Sequence, residues 1–296
     1  MSKTLVDKIA EIFQPPVPLW ACELTSRHVI VAGLNKRRDK VKSKVAADLV
    51  SRSVIGSLSE TNIPNKDATR AAVLETLNRA GFEGSEIVLI IPDDSVRIAF
   101  LTVENLPKNP AEQQTFIRWK LKKTVPFDVD AAQLAFRILG TRTGSAADLL
   151  VTLSPRSIIQ EYEDLFDSMA LHAGLVVPST LAALNLLPPP ASDTLFLKIA
   201  PDCITTSVLQ RGRIQFYRRV VDVSVYDAVY PTVMYYQDKL GGKALERLIV
   251  CGYDADVRSS IADLQQKLGL SAHRLDPKDI EDIFKPVLGG AHLVAF

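Results

Sequence analysis

QQTFIRWKLKKTVPFDVDAAQLAFRIL, residues 113–139, holds the change of period around which the chain is organised. Phe116, Ile117, Trp119 and Leu121 supply apolar groups at helical spacing, with Arg118, Lys120, Lys122 and Lys123 between and around them. Pro126 stops that helix, because proline lacks a backbone donor and pushes the residue before it out of the helical region. Asp128 and Asp130 keep the turn solvated. Leu134, Phe136 and Ile138 then alternate with Ala135 and Arg137, the period of a strand. An aromatic, basic helix that stops at Pro-Phe is a core or interaction element and carries no catalytic pattern.

The 296 residues are 47% hydrophobic, enough for one large domain or two medium ones. Lys and Arg number 35 and Asp and Glu 34, so no overall charge draws the chain to nucleic acid or to a membrane surface. The one basic run, NKRRDKVKSK at 35–44, reads as a solvated hairpin tip. Cys22, Cys203 and Cys251 lie far apart in apolar runs with no C-x-x-C pair, which predicts buried reduced thiols and no metal site. The N-terminus lacks the apolar core of a signal peptide, and apolar runs such as Ile87–Ile91 have strand length, so a cytoplasmic location is expected.

In chain order, residues 3–13 predict a short amphipathic helix with Leu5, Ile9, Ile12 and Phe13 on one face, set off by Pro15, Pro16 and Pro18. Two strands around a Thr-Ser turn are expected over Leu19–Leu34. A helix over Ala68–Ala80 is capped by Asn65 and closed by Gly81. Glu86–Ile91 is a buried strand ending at Pro92-Asp93-Asp94, and Val96–Val103 alternates. Beyond the opening stretch, Leu149–Leu153 is a strand. Ser154 is expected to cap a helix that begins at Pro155 and carries the stripe Ile158, Ile159, Tyr162, Leu165, Phe166 and Met169. A short strand, Leu175–Val177, and a helix, Ser179–Leu187, follow. Pro188-Pro189-Pro190 marks a boundary, after which the pattern restarts with strands at Leu195–Ala200, Ile204–Leu209 and Ile214–Val220. A helix over Val225–Leu240 contains Pro231, which should kink it or mark its start. Leu248–Cys251 is a strand before a last helix closed by Gly269. Two halves of hairpin, helix and strand suggest a duplicated α/β architecture around a cleft.

No Walker loop, G-x-G-x-x-G, H-E-x-x-H or G-x-S-x-G occurs. His28, His172, His273 and His292 have no catalytic company in sequence, and the carboxylates are dispersed.

The order of elements and three local strings resemble the type IV pilus assembly protein PilM family, bacterial members of the actin-like ATPase fold. The strings are Ile117-Arg118-Trp119-Lys120 with Val125-Pro126-Phe127 and Leu134–Leu139; Tyr235-Tyr236-Gln237 with Gly241-Gly242 and Ile249–Gly252; and the Ala173-Gly174-Leu175 turn before the helix Thr180–Leu187. The resemblance runs from about Leu19 onward. It implies an α/β, duplicated two-lobe actin-like (ribonuclease H-like) ATPase fold. The first lobe would occupy 16–190 after a helix at 1–15, with an inserted α/β subdomain at about 96–177, and the second lobe 191–296. Trp119 and Phe127 are then expected as packing anchors of the insert.

The resemblance also locates a nucleotide site, and there the chain departs from the family. Such proteins hold phosphates between two hairpins whose carboxylates organise magnesium and whose glycines expose backbone donors. The first hairpin, usually Gly-Ile-Asp-Ile-Gly-Ser, is here Ala21, Cys22, Glu23, Leu24, Thr25 and Ser26. The second, usually Asp-Ile-Gly-Ala, is Lys198, Ile199, Ala200 and Pro201, and Lys198 inverts the charge. The adenosine loop, usually Gly-Gly, is Gly252-Tyr253, whose ring would fill the space of an adenine. ATP and magnesium are therefore not expected as cofactors; these departures point to a pseudo-ATPase with no metal or catalytic residue, and the resemblance implies a scaffold role. Its implied partner is the short cytoplasmic N-terminal segment of a PilN-like inner-membrane protein, taken in a groove beside the insert. Arg118, Lys120 and Lys122 are candidates for partner contact. Alternatives are an active actin-like ATP-binding protein and a cytoplasmic domain like that of the type II secretion protein GspL, which would continue into a membrane span where this chain ends at Phe296. Leu184-Asn185-Leu186-Leu187-Pro188 resembles the segment that PilN presents, and is expected to be an ordinary helix end.

Overall fold

A computed structural model describes residues 17–141, 146–187, 192–243, 245, 247–252, 254–275 and 280–292. The expected N-terminal helix, the triple proline and Tyr253 lie outside them. Strands β1 (Trp20–Leu24), β2 (His28–Leu34) and β3 (Val41–Asp48) form an antiparallel meander. Helix α1 (Lys66–Ala80) leads to β4 (Glu86–Ile91) and β5 (Arg97–Val103). Then come α2 (Pro110–Leu121), β6 (Ala132–Thr141), β7 (Ala147–Pro155), α3 (Arg156–Asp167), β8 (His172–Pro178) and α4 (Ser179–Leu184). The later half supplies β9 (Thr194–Ile199), β10 (Ile204–Gln210), β11 (Arg213–Val220), α5 (Val225–Asp238), β12 (Arg247–Cys251), α6 (Asp254–Leu268), β13 (Ala272–Arg274) and α7 (Lys285–Ala291).

Two five-stranded sheets have the same plan. The first runs β3-β2-β1-β4-β8 and the second β11-β10-β9-β12-β13. In each the meander is antiparallel and the last two strands are parallel to its first strand. A separate antiparallel sheet, β5-β7-β6, is inserted between β4 and β8 with α2 packed on it.

The central strands read as continuous apolar runs because both their faces are covered. Alternation sends Cys22 and Leu24 of β1 toward one face, with Tyr162 and Phe166 of α3. Ala21 faces the other way, toward Ala182 of α4 and Val287, Leu288 and Ala291 of α7. In β9, Leu195, Leu197 and Ile199 join the α5 and α6 side. Phe196 faces inward with Ala183 of α4. Helix α4 thus lies between the sheets, giving adjacent alanines to each.

Local signals account for most boundaries. The Asn65 side chain accepts from the Ala68 N–H at 3.1 Å, and Gly81 closes α1 at φ +66°. Asn109 caps α2 with Pro110 at its first turn. That helix ends at Leu121, a turn before Pro126, where the Thr124 N–H turns back to the Leu121 carbonyl. Helix α3 starts one residue later than expected. Pro155 still pairs with Ala132 in the sheet, and the Ser154 hydroxyl donates to the Ser95 carbonyl at 2.8 Å, leaving no side-chain cap. Pro231 lies inside a continuous α5 whose start is capped by Ser224. Residues 35–40 form the mostly exposed turn of the β2–β3 hairpin, as expected, while β3 takes up the last four residues of the basic run, and α7 was not anticipated.

Trp119 is a correction. It is 65% exposed, so it does not anchor the insert. Ile117 and Leu121 are the buried residues of α2, and Trp119 lies two positions, about 200°, round the helix from Ile117. Phe127 is partly buried against the insert's core.

Candidate functional site

The inner faces of the two sheets meet in a polar cleft. Period-two alternation brings Glu23 there from β1 and Lys198 from β9, because their neighbours face outward into the two cores. Asp93 and Asp94 enter from the turn after β4. Glu23, Asp93 and Lys198 are all at least 95% buried. The Lys198 ammonium is 3.7 Å from Asp93 Oδ2. Asp93 also accepts from the Thr180 N–H at 2.8 Å, the Thr180 hydroxyl at 2.5 Å and the Thr205 hydroxyl at 3.3 Å. Ser179 donates to Glu23, and Arg219 of β11 pairs with Asp94.

Electrostatics follow from burial. Desolvation opposes the charge on Lys198, but the nearby carboxylates of Asp93 and Glu23 outweigh it and raise its pKa, so the ammonium persists. Burial pushes Glu23 up from 4.5 to about 7, against the pull of Lys198 and the Ser179 hydrogen bond. Cys203 and Cys251 are pushed up to about 12 by burial, which leaves them unreactive thiols at neutral pH.

The structure brings Glu23, Thr25, Lys198, Ala200 and Gly252 together around a cavity of about 20 Å³, room for a single water. Several donors of the hairpin tips are bonded within them. Thr25 Oγ1 accepts from the N–H groups of Arg27 and His28 at 3.2 and 2.8 Å, and the Thr25 N–H donates to the His28 carbonyl. The Ala200 N–H donates to the Cys203 carbonyl at 2.9 Å, and Pro201 has none to offer. Ser26 sits in the turn after β1, outside the lining of this cavity. Gly252 serves packing, since a Cβ there would stand 2.7 Å from the Ile199 carbonyl oxygen. Among the described residues no cluster of three or more His, Cys, Asp or Glu side chains is placed to hold a metal ion.

Asp93 and Asp94 were read in the sequence only as the end of a strand. The signal for a larger role was two acids directly after a buried parallel strand, the end of an open α/β sheet where ligand-facing residues gather.

A second feature lies on the other side of the first sheet. Strand β8 is an edge that pairs only with β4, and β6 is an edge that pairs only with β7, among the described residues. A groove of about 290 Å³ runs between them, with Ile91, Ile159 and Val176 as apolar lining and Gln133 and Glu163 as polar groups. Gly174 is left unpaired between Ala173 and Leu175, a bulge that bends β8 along the groove.

The basic candidates lie elsewhere on the insert. Arg118 donates to the Val129 carbonyl, and Lys122 pairs with Asp130 at 2.7 Å. The Lys120 ammonium lies 5.5 and 5.0 Å from the ring centroids of Phe116 and Trp119. None of the three lines the groove. Leu184, Leu186 and Leu187 pack against the cluster of Phe196 and Ile249, so this segment ends α4 as an ordinary helix end.

Two sheets of identical strand order, facing each other across a cleft, with a small sheet inserted in the first, decide the architecture. The fold is actin-like. No protein-family model and no curated protein match the sequence. Among solved structures, a chain of a PilM–PilN type IV pilus biogenesis complex matches with TM-score 0.78 at 15% identity, covering 94% of this chain and 98% of that one. A Bacteroides thetaiotaomicron protein with an actin-like ATPase fold and unknown function matches at 0.52 and 10%, over 90% and 94%. The cytoplasmic domain of EpsL, an inner-membrane component of the Vibrio cholerae type II secretion system, matches at 0.52 and 12%, over 79% and 81%. Within this actin-like chain no described helix is long and apolar enough to cross a membrane.

Proposed function

We propose that this chain is a cytoplasmic, PilM-like scaffold of a type IV pilus assembly machine that binds the N-terminal segment of a PilN-like inner-membrane protein and does not hydrolyse ATP. It would reach the membrane only through that partner. The observation that carries the reading is the groove between β6 and β8, which are edge strands among the described residues. An extended peptide can add to such an edge through backbone hydrogen bonds, while alternate side chains enter the apolar lining. The likeness to a chain of a PilM–PilN complex supports this choice of partner. A type II secretion component of the EpsL kind is the second reading, with the lower likeness of 0.52.

Titration with a synthetic PilN-type N-terminal peptide tests the proposal. Saturable binding is expected, and absence of binding at high micromolar peptide overturns it. Ala135 is exposed on β6 and lines the groove. Ala135→Arg is expected to weaken peptide binding about tenfold or more, roughly 1.4 kcal/mol, with unfolding unchanged. The absence of hydrolysis is supported by the small cavity and by the bonds that hold the Thr25 and Ala200 N–H groups within their own hairpins. Labelled ATP with magnesium is expected to show neither micromolar binding nor turnover, and steady turnover sinks that half of the proposal.

A further inference from the structure

We infer that Lys198 is a built-in cation of the inter-lobe cleft, which joins the two sheets directly and makes their closed arrangement independent of any bound ligand. Three contacts cross from the second sheet to the turn after β4. They are Lys198 with Asp93 at 3.7 Å, the Thr205 hydroxyl with Asp93 at 3.3 Å, and Arg219 with Asp94. Glu23 of β1 adds attraction to the same ammonium from the first sheet. All three contacts lie within the protein itself, so no diffusible group is needed to bring the lobes together.

The fold implies a metal–nucleotide complex at this place, and the residues present do not fit one. Pockets for such ligands run to roughly 300–1,000 Å³, against about 20 Å³ here. A buried ammonium beside the carboxylates repels a divalent ion by the same attraction that anchors it to Asp93. At the hairpin tips the N–H groups of Thr25, Arg27, His28 and Ala200, which could otherwise face a phosphate, are bonded inside their own hairpins, and Pro201 has no N–H. Replacing a ligand by a side chain removes the entropy cost of capturing that ligand. It also removes any switching, because a side chain cannot dissociate. This inference does not require the peptide partner, and its test does not use the peptide.

The experiment uses the full chain with spin labels on exposed positions of the two lobes, one at Ser59 and one at Asp238. The inter-lobe distance is measured by pulsed electron resonance beside a thermal melt. The wild type is expected to give one narrow distribution that millimolar Mg-ATP leaves in place. Lys198→Met is expected to broaden the distribution and lower the melting temperature by roughly 10 °C, because Asp93 and Glu23 are left buried without their cation. Adding Asp93→Asn to Lys198→Met is expected to return part of that loss. Lys198→Asp is expected to gain a response the wild type lacks, a rise in melting temperature with millimolar Mn²⁺, since three carboxylates then converge. If Lys198→Met does not fold, Arg219→Gln, at a half-exposed position, is expected to broaden the distribution alone. A wild-type distribution that narrows with Mg-ATP overturns the inference. So does a wild-type melt that rises with Mn²⁺, or variants at both positions that keep the wild-type distribution.

Discussion

At the residue scale, Glu23 shows how burial changes the meaning of an acidic residue. Its folded pKa is raised from 4.5 to about 7, with desolvation the largest cause. Between those values the folded state keeps a proton that the unfolded chain releases. Stability contributed here is therefore present below about pH 4.5 and lost as pH rises to about 7. The shift corresponds to roughly 3 kcal/mol across that window. Glu23→Gln cannot ionise, so its unfolding free energy relative to wild type should climb by about that amount between pH 4.5 and 7.5. Urea melts at several pH values measure this, and a flat difference rejects it. Lys198 is the complementary case. The sequence showed its charge inversion, but its Asp93 partner is 105 positions away in the chain and is found only in the folded cleft.

At the scale of elements, α2 separates what periodicity reveals from what it hides. The apolar residues of 113–121 predicted a helix, and a helix forms. Apolar identity did not reveal which of them face the insert's sheet. Ile117 is fully buried and Trp119 is 65% exposed. Ile117→Ala should therefore lose roughly 2–5 kcal/mol of unfolding free energy through cavity formation. Trp119→Ala should stay within about 0.5 kcal/mol, as for other surface changes. Chemical denaturation of the two variants decides between this geometry and the packing role first expected of Trp119. Strand β3 and helix α7 escaped the sequence reading for different reasons. The alternating lysines of β3 suit an edge strand as well as a solvated tip. The Gly289-Gly290 pair of α7 argues locally against a helix. Packing overrides that preference, since a Cβ on Gly289 would stand 1.9 Å from the Ala182 carbonyl oxygen, so the glycine lets α7 lie directly on α4.

At the scale of the whole molecule, the chain closes on itself. Residues 285–291 pack on the first sheet, whose strands come from residues 20–91 and 172–178, beside α4, and Leu288 is 2% exposed there. Leu288→Ala should lower unfolding free energy by roughly 2–5 kcal/mol although it lies eight residues from Phe296, in thermal or urea unfolding of the full chain. A loss within about 0.5 kcal/mol would mean that α7 is not part of the cooperative core. The same closure brings the cleft together, because α4 lies between the sheets and supplies Ser179 and Thr180 to Glu23 and Asp93.

The stretch 113–139 by itself determined a helix, a stop and a strand, and the repeated hairpin pattern on either side of it suggested a duplicated α/β architecture. Those are local properties: side-chain period, proline geometry and caps depend on residues within a few positions of one another. The altered hairpins at Glu23 and Lys198 were legible for the same reason. Only the tertiary structure decided that Lys198 has a buried anionic partner, that the Thr25 and Ala200 N–H groups are bonded within their own hairpins, and that β6 and β8 are edge strands among the described residues. Each of these depends on strands distant in sequence coming together, and the energy of a buried charge is set by neighbours that no local pattern specifies.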